Sequence, residues 1–399
     1  MIYLRHSMLM ESLITKNICK SLNTSLYDLK KSAIREFASL ARQTPGCISL
    51  TLGEPDFDTP QEIKNAVVGA LDRNETHYIE NSGDPNLRQK IAGYENNKHG
   101  FSCDASQVIV TTGATEALFV ALFGCLNPGD EVIIPTPAFV LYDEIVKLCR
   151  AKAVHLDISK TNFQISVTDL ESLVTEKTKA IILNSPNNPT GTVLNSQSLK
   201  AVHDVVCGRG IFVICDDVYR ELIYTDNYHS FTEYYDLKDQ IFLVQSFSKT
   251  YSMTGWRMGY LIAPKDIAER FQLVHQFLVV STPAPFQKAA IAALDVDPSN
   301  LRETYRKRRS YMLERLCAMG LEVPSPQGAF YMFPSIKRFG LDSGTFCRRM
   351  ISESGLAATP GFCFGCDDHI RLTYCYTDKE LKEGLDRLQL FIQKLDGKN

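Results

Sequence analysis

The stretch Ser246-Phe247-Ser248-Lys249-Thr250-Tyr251-Ser252-Met253-Thr254-Gly255-Trp256-Arg257 carries the most information about this chain. It follows an apolar run, residues 241–244, that predicts a buried strand, so Lys249 would lie at the carboxyl edge of a parallel sheet, the usual place for ligands. A buried lysine readily becomes a neutral, nucleophilic amine, the property that a Schiff-base enzyme uses. Two serine hydroxyls before the lysine and Arg257 after it could clamp a phosphate. This combination indicates pyridoxal phosphate, but an ordinary Ser/Lys turn on the surface would explain the stretch equally well.

Length and composition are those of a globular enzyme. The chain has 399 residues, enough for a large core and two domains. Hydrophobic residues make up 44% and charged residues 22%, which is typical of soluble proteins. The net charge of -3 provides no basic field for nucleic acid. No uncharged apolar run is long enough to cross a bilayer, so neither nucleic acid nor a membrane is an expected partner.

Twelve cysteines are scattered without a regular framework, which predicts reduced thiols and a cytoplasmic protein. Cys363 and Cys366 form a C-x-x-C pair, but no second pair stands at zinc-site spacing, so we predict no metal site. Charged residues interrupt residues 1–22, which are therefore interpreted as an arm or a frayed helix rather than an export signal. The start codon could be Met1, Met8 or Met10.

Strands and helices alternate through the middle of the chain. Apolar strands separated by amphipathic stretches such as 196–207 predict an α/β fold with a mainly parallel sheet that helices cover on both faces. The predicted strands are 107–112, 131–135, 179–184, 211–215, 242–246 and 258–263, with a helix at 114–126.

After residue 290 the pattern changes. A long charged helix at 299–319 precedes short strands at 328–333 and 369–375 and a last helix at 378–394, which indicates a smaller α+β domain. We therefore expect three regions: 1–59 as an N-terminal arm and part of the small domain, 60–290 as the large cofactor-binding domain, and 291–399 as the small C-terminal domain.

Several polar residues follow the predicted strands. Asp216 could keep a pyridine nitrogen protonated, which would make the ring an electron sink, although a carboxylate there is also a common helix cap. Tyr219 and Asn188 could reach the phenolic oxygen of the same ring, but Asn188 lies in an Asn/Pro/Gly turn that needs no ligand to explain it. Gly113-Ala114-Thr115 joins a strand to a helix, where free backbone N–H groups favour an anion.

From about Ile48 onward the chain resembles a class I/II aminotransferase of the pyridoxal-phosphate fold type I superfamily. The matching segments are, in order, Leu52-Gly53-Glu54-Pro55-Asp56-Phe57, Tyr78, Gly113-Ala114-Thr115, Asn188-Pro189-Thr190-Gly191, Asp216-x-x-Tyr219, Ser246-x-Ser248-Lys249, Arg257 and Ile370-Arg371-Leu372. Gly328-Ala329-Phe330-Tyr331 and Ser252-Met253-Thr254-Gly255-Trp256-Arg257 are most similar to bacterial aromatic, aspartate or N-acetyl-LL-diaminopimelate aminotransferases.

The resemblance implies catalytic roles for Lys249, Asp216 and Tyr219. Lys249 would bind pyridoxal 5'-phosphate and transfer the substrate α-proton, Asp216 would pair with the ring nitrogen, and Tyr219 and Asn188 would bind the ring oxygen. The phosphate would contact Gly113, Ala114, Thr115, Ser246, Ser248 and Arg257. Arg371 would bind the substrate α-carboxylate, together with Asn188 and the Gly53 backbone.

Two further implied roles concern the ring face and the neighbouring subunit. Phe139 would stack on the ring where related enzymes often have tryptophan, and Tyr78 would reach the phosphate of the neighbouring subunit in a homodimer. Plain core packing of Phe139, and a surface ion pair for Arg371, are the ordinary alternatives.

The implied reaction moves the amino group of an L-amino acid to a 2-oxo acid by a ping-pong route, with glutamate and 2-oxoglutarate as the expected common pair. A pyridoxal-phosphate-dependent carbon–sulfur β-lyase is the alternative, because it uses the same fold and lysine. A nucleotide enzyme is disfavoured, since neither G-x-G-x-x-G nor a P-loop is present. Because no arginine can be assigned to a distal carboxylate, aspartate, aromatic and acylated diaminopimelate donors all remain open.

Overall fold

A seven-stranded sheet forms the centre of the structure, a computed structural model that describes residues 22–29 and 32–397. The strands are β1 (Ile48–Ser49), β2 (Val108–Thr111), β3 (Glu131–Thr136), β4 (Lys152–Asp157), β5 (Thr178–Asn184), β6 (Phe212–Asp216), β7 (Ile241–Ser246), β8 (Gly259–Ile262), β9 (Tyr331–Met332), β10 (Leu356–Ala357), β11 (Thr359–Pro360) and β12 (Ile370–Thr373). The α-helices are α1 (Ala33–Gln43), α2 (Gln61–Asp72), α3 (Pro85–His99), α4 (Gly113–Cys125), α5 (Leu141–Leu148), α6 (Val167–Leu173), α7 (Ser196–Val206), α8 (Lys265–Val279), α9 (Ala284–Ala293), α10 (Ser299–Ala318), α11 (Ser343–Ser354) and α12 (Asp378–Leu395).

The central sheet has the strand order β2-β8-β7-β6-β5-β3-β4. From β7 to β4 all neighbours are parallel, which confirms the predicted α/β architecture. Strand β8 is antiparallel to both of its neighbours, β7 and β2, and so runs opposite to the other six strands of this sheet. The reason is the connection. A parallel return needs a crossover of a dozen or more residues, usually an α-helix, whereas β7 and β8 are joined by turns and the short 3₁₀ helix Thr254–Trp256, in a segment that carries Lys249 and Arg257.

The sequence patterns gave no range for the edge strand β4, the two-residue strands β1, β10 and β11, or the helices α1, α2, α3, α5, α6, α8, α9 and α11. Strand β4 is largely exposed, so it lacks the apolar run that marked the other strands. Helix α6 has seven residues, too few to show a clear helical period.

Both faces of the central sheet are buried under helices. Successive strand residues join opposite apolar layers: Val213 packs in one, and Ile214 in the other. This alternation explains why the strands read as continuous apolar runs.

A third apolar cluster combines the two ends of the described chain. Phe37 and Leu50 pack in one core with Leu385 and Phe391, and β1 pairs with β10 in parallel. Strands β11, β12 and β9 form a small antiparallel sheet nearby, with Arg371 opposite Thr359. The division at residues 59 and 290 stays a prediction, and the proposed arm lies almost entirely outside the described residues.

Candidate active site

The carboxyl ends of β5, β6 and β7 meet at an open cavity of about 650 Å³. Asn184 and Asp216, the last residues of β5 and β6, are register partners, and Ser246 ends β7. The cavity is lined by most of the residues predicted from the sequence, namely Gly53, Ala114, Thr115, Phe139, Asn188, Asp216, Tyr219, Ser246, Ser248, Lys249, Arg257 and Arg371. Sheet topology thus brings together residues that are far apart in the chain.

Lys249 lies in the turn after β7 with a half-buried side chain. Its Nζ donates a hydrogen bond to the Gly53 carbonyl at 2.5 Å. Burial lowers the pKa of Lys249 to about 8, and the positive charges of Arg371 and Arg257 act in the same direction. A lysine amine with this pKa is partly neutral near physiological pH, so it can act as a nucleophile and a proton acceptor.

Asp216 is 4% exposed, and only one of its two carboxylate oxygens accepts a hydrogen bond. The Tyr142 hydroxyl donates to Oδ2 at 2.6 Å, while Oδ1 is buried and accepts no hydrogen bond from any residue that the structure describes. Burial raises the pKa of Asp216 to about 6. A buried carboxylate oxygen without a donor, at the edge of a cavity, fits a ligand that brings its own N–H group.

A pair of tyrosines borders the same cavity. The hydroxyls of Tyr219 and Tyr331 are 2.7 Å apart, and both side chains are buried. Tyr331 also explains why position 53 is a glycine, since a Cβ there would be 2.2 Å from the Tyr331 hydroxyl. The Asn188 backbone N–H is held by Asn184 Oδ1 at 2.8 Å.

Sequence reasoning assigned no role to Tyr142, Asn184 or Tyr331. Tyr142 belongs to the same segment as Phe139, and their rings make an edge-to-face contact with centroids 6.0 Å apart. Tyr331 belonged to a segment quoted only for its family likeness. The sequence signal that could have pointed to these residues was therefore their position close to residues that already had an assigned role.

Arg371 is almost completely buried, with 2% of its surface exposed. Its guanidinium donates to Asn188 Oδ1 at 2.8 Å and to the Thr51 carbonyl at 2.6 Å. The rings of Tyr331 and Phe364 lie 4.6 and 4.9 Å from its Cζ. Its Nε has no partner among residues 22–29 and 32–397. The alternative of a surface ion pair is therefore wrong, and the buried Nε–H of Arg371 is left without a protein partner.

An anion cradle forms where α4 begins. Gly113 has a φ of +75°, and a Cβ there would be 2.6 Å from Arg257 Nη2, so the guanidinium packs directly on the start of the helix. Arg257 Nη1 donates to the Thr254 carbonyl at 3.0 Å. The free N–H groups of Ala114 and Thr115 lie in the first turn of α4, and this arrangement suits a phosphate.

Two predicted features lie away from this cavity. Tyr78 is 87% exposed and does not line it. Cys366 Sγ is 3.3 Å from both Asp368 Oδ1 and His369 Nδ1, and the eleven cysteines of the described chain form no disulfide. The expected absence of a metal stays a prediction. Within the described residues, no helix has the length and hydrophobicity to span a bilayer.

Comparisons with known proteins agree with this geometry. The model of the family "Aminotransferase class I and II" matches residues 45–388. The chain is 41% identical to the probable N-acetyl-LL-diaminopimelate aminotransferase of Bacillus subtilis, over 94% of this chain and 96% of that protein. The aspartate aminotransferase structure from Thermotoga maritima superposes with a TM-score of 0.89 at 34% identity, covering 93% and 100% of the two chains.

The name of a third relative refers to aromatic substrates, unlike the names of the first two. The structure of the aromatic aminotransferase from Pyrococcus horikoshii has a TM-score of 0.85 at 36% identity and covers 90% of this chain and 99% of its own. The family match spans most of the chain, and these relatives share its fold at more than 30% identity. The chain therefore belongs to the class I and II aminotransferases, enzymes of fold type I that transfer amino groups between amino acids and 2-oxo acids.

Proposed function

We propose that the cavity binds pyridoxal 5'-phosphate and that the chain uses glutamate and 2-oxoglutarate as one of its substrate pairs. The observation that carries the cofactor assignment is the buried Asp216 oxygen without a donor, beside a lysine of lowered pKa and an anion cradle. When bound, pyridoxal phosphate supplies a carbonyl that accepts the amino group and a ring that withdraws electrons from the substrate α-carbon.

The residues of the chain supply binding and proton transfer. Asp216 Oδ1 would accept a hydrogen bond from the ring nitrogen, because it is the buried acceptor left without a donor. The side chains of Tyr219 and Asn188 would be the donors for the ring oxygen. Lys249 holds and moves the proton of the substrate α-carbon, since its lowered pKa allows it to exist both as amine and as ammonium near neutral pH.

Phosphate and carboxylate are bound by different groups of the cavity. The start of α4 with Arg257, Ser246 and Ser248 holds the phosphate. Arg371 holds the substrate α-carboxylate in a buried setting, where a charge-assisted hydrogen bond is strong. Phe139 lines the cavity and is the ring that would pack on the cofactor face.

A half-reaction screen tests this function. Each L-amino acid is added to the cofactor-loaded enzyme, and loss of the visible absorbance of the bound cofactor is followed. We expect glutamate to remove the absorbance and 2-oxoglutarate to restore it. Release of pyruvate and ammonia from cystathionine without any 2-oxo acid would instead support the β-lyase.

Arg371→Leu is expected to lower kcat/KM for glutamate by about 10²- to 10³-fold, because a buried charge-assisted contact to the α-carboxylate is lost. The variant should still bind the cofactor, since the predicted ligand group of Arg371 is the substrate carboxylate, which is absent from the resting enzyme. Steady-state kinetics and titration with cofactor measure the two effects. Arg338→Leu, which removes an exposed ion pair with Asp396, is the control and should leave both unchanged. Loss of cofactor binding in Arg371→Leu would contradict the assigned role.

We also infer that two copies of the chain associate around an apolar patch formed by Tyr78, Leu273, Phe277, Leu278, Val279 and Val280. Phe277 is 82% and Tyr78 87% exposed, which is unusual for large rings. Asn81 donates to the Val280 carbonyl at 2.8 Å, so the loop of Tyr78 and the end of α8 are one surface. Pairing of this patch would explain its exposure and would carry Tyr78 toward the neighbouring cavity.

Phe277→Lys should convert the dimer to a monomer, because it places a charge in the apolar patch. Sedimentation velocity measures the change in mass. Leu390→Lys is the matched control, since Leu390 is 65% exposed on the last helix and is not part of the patch. A wild-type monomer, or a Phe277→Lys protein that sediments as a dimer, would contradict the proposal.

A cytoplasmic location is also proposed, on the support of the free thiols of the described cysteines. Cell fractionation with an antibody to the chain checks it, and recovery from an exported fraction would contradict it.

A further inference from the structure

A third arginine lines the cavity beside Arg257 and Arg371. Arg35 belongs to the first turn of α1, is exposed, and lines the cavity together with Ile34. Within the part of the chain that the structure describes, its guanidinium makes no hydrogen bond or ion pair. An arginine at a ligand cavity with all its side-chain donors unused can accept an anionic group without breaking an internal contact.

The charges of the cavity are unbalanced. Its lining contains four cationic side chains, Arg35, Lys249, Arg257 and Arg371, and one carboxylate, Asp216. In the proposed function Arg257 serves the phosphate, Arg371 the α-carboxylate, and Asp216 the ring nitrogen. Arg35 therefore has neither a protein partner nor an assigned ligand group. Arg35 is therefore the cationic group of the lining that is left for a second anionic group on a substrate.

The fold connects Arg35 to the residue that binds the α-carboxylate. Helix α1 packs on β10 and β11, and β11 pairs with β12, which places Thr359 opposite Arg371. Arg35 thus lies on a helix that packs against the small sheet, and Arg371 lies in a strand of that sheet. A substrate held by Arg371 through one carboxylate therefore lies in the cavity that Arg35 also lines.

Part of the cavity lining is apolar. Ile34, Leu52, Leu118 and Leu141 line the cavity. Such walls suit the methylene chain of a substrate, while the unpaired guanidinium suits its terminal group.

We propose that Arg35 binds the distal carboxylate of dicarboxylic amino acids and 2-oxo acids, and so sets the preference of the enzyme for substrates with a second negative charge. The inference rests on the proposed function, because it takes Arg371 as the site of the α-carboxylate. Amino acids with apolar side chains contact the leucine and isoleucine walls and gain nothing from Arg35. Loss of Arg35 therefore changes selectivity between donors rather than activity in general.

The test compares Arg35→Gln and Arg35→Lys with the wild-type holoenzyme in the half-reaction with glutamate and with phenylalanine. For Arg35→Gln we expect kcat/KM for glutamate to fall by about 10- to 100-fold, mainly through KM, because a hydrogen-bonded charge pair is lost. The value for phenylalanine should stay within about twofold. Arg35→Lys should recover part of the glutamate activity, since it keeps the charge. Arg42→Gln is the matched control: it makes the same change in the last turn of the same helix, away from the cavity lining.

A binding measurement separates failure of this inference from failure of the proposed function. Calorimetry compares succinate with butyrate, which has the same chain length and one carboxylate. Arg35→Gln should weaken succinate binding by about 10-fold or more and leave butyrate binding unchanged. A wild-type enzyme that converts neither donor would contradict the proposed function, yet the succinate difference would still support Arg35 as an anion-binding residue. Equal losses for glutamate and phenylalanine, or unchanged succinate binding, would overturn the assignment of Arg35.

Discussion

Lys249→Ala is expected to lower the rate of amino-group transfer by at least about 10⁴-fold, because it removes both the nucleophile and the group that moves the α-proton. The visible absorbance of the cofactor bound to the lysine should disappear in the same variant. The structure supports this coupling: Lys249 is the only lysine among the residues that line the cavity of the described chain, and burial lowers its pKa to about 8. Single-turnover kinetics and absorbance spectra of the purified variant measure the two losses.

Lys177→Ala is the control, since Lys177 is an exposed lysine far from the cavity lining. It should keep both the absorbance and the rate. Cofactor phosphate should still bind to Lys249→Ala, because the α4 start and Arg257 are untouched. Retention of absorbance and of transfer in Lys249→Ala would remove the basis of the proposed function.

The sequence was sufficient to predict the site residues that directly follow apolar strands. Strands β5, β6 and β7 are continuous apolar runs because both sheet faces are buried, and parallel pairing places their carboxyl ends on one edge. Asp216 and Lys249 could therefore be assigned to one site from strand ends alone. The proton transfer by Lys249 came from the resemblance to the family.

Residues that act through distant contacts could not be found in this way. Tyr142 reaches Asp216 from a helix 74 positions earlier in the chain, and Tyr331 reaches Tyr219 across 112 positions. Arg35 comes to the cavity because α1 packs on the small sheet, a contact between opposite ends of the chain. Local periodicity carries no information about such pairs. The antiparallel direction of β8 was missed for a related reason, since strand direction depends on the connection and not on strand composition.

Asp216→Asn is expected to lower the rate of amino-group transfer by about 10³-fold, because an amide cannot supply the negative charge that keeps the ring nitrogen protonated. Fold and cavity should be preserved, since asparagine has nearly the same shape and can still accept from Tyr142. The variant should therefore still bind cofactor through the phosphate and Lys249. Single-turnover kinetics with glutamate measure the loss, and an unchanged rate would show that Asp216 does not face the ring.

The pH dependence of cofactor binding gives an independent test of the same contact. Burial raises the pKa of Asp216 to about 6 in the cofactor-free chain, and pairing with a cationic ring nitrogen would lower it. Binding is then coupled to loss of a proton, so affinity should rise with pH up to about 6 and level off above it, and this step should be absent in Asp216→Asn. Asp217→Asn is a matched control, because Asp217 is also buried with a pKa raised to about 6 but accepts a hydrogen bond from Ser230 and does not line the cavity. If Asp217→Asn removed the step and Asp216→Asn kept it, the titrating carboxylate would not be the one that faces the cofactor.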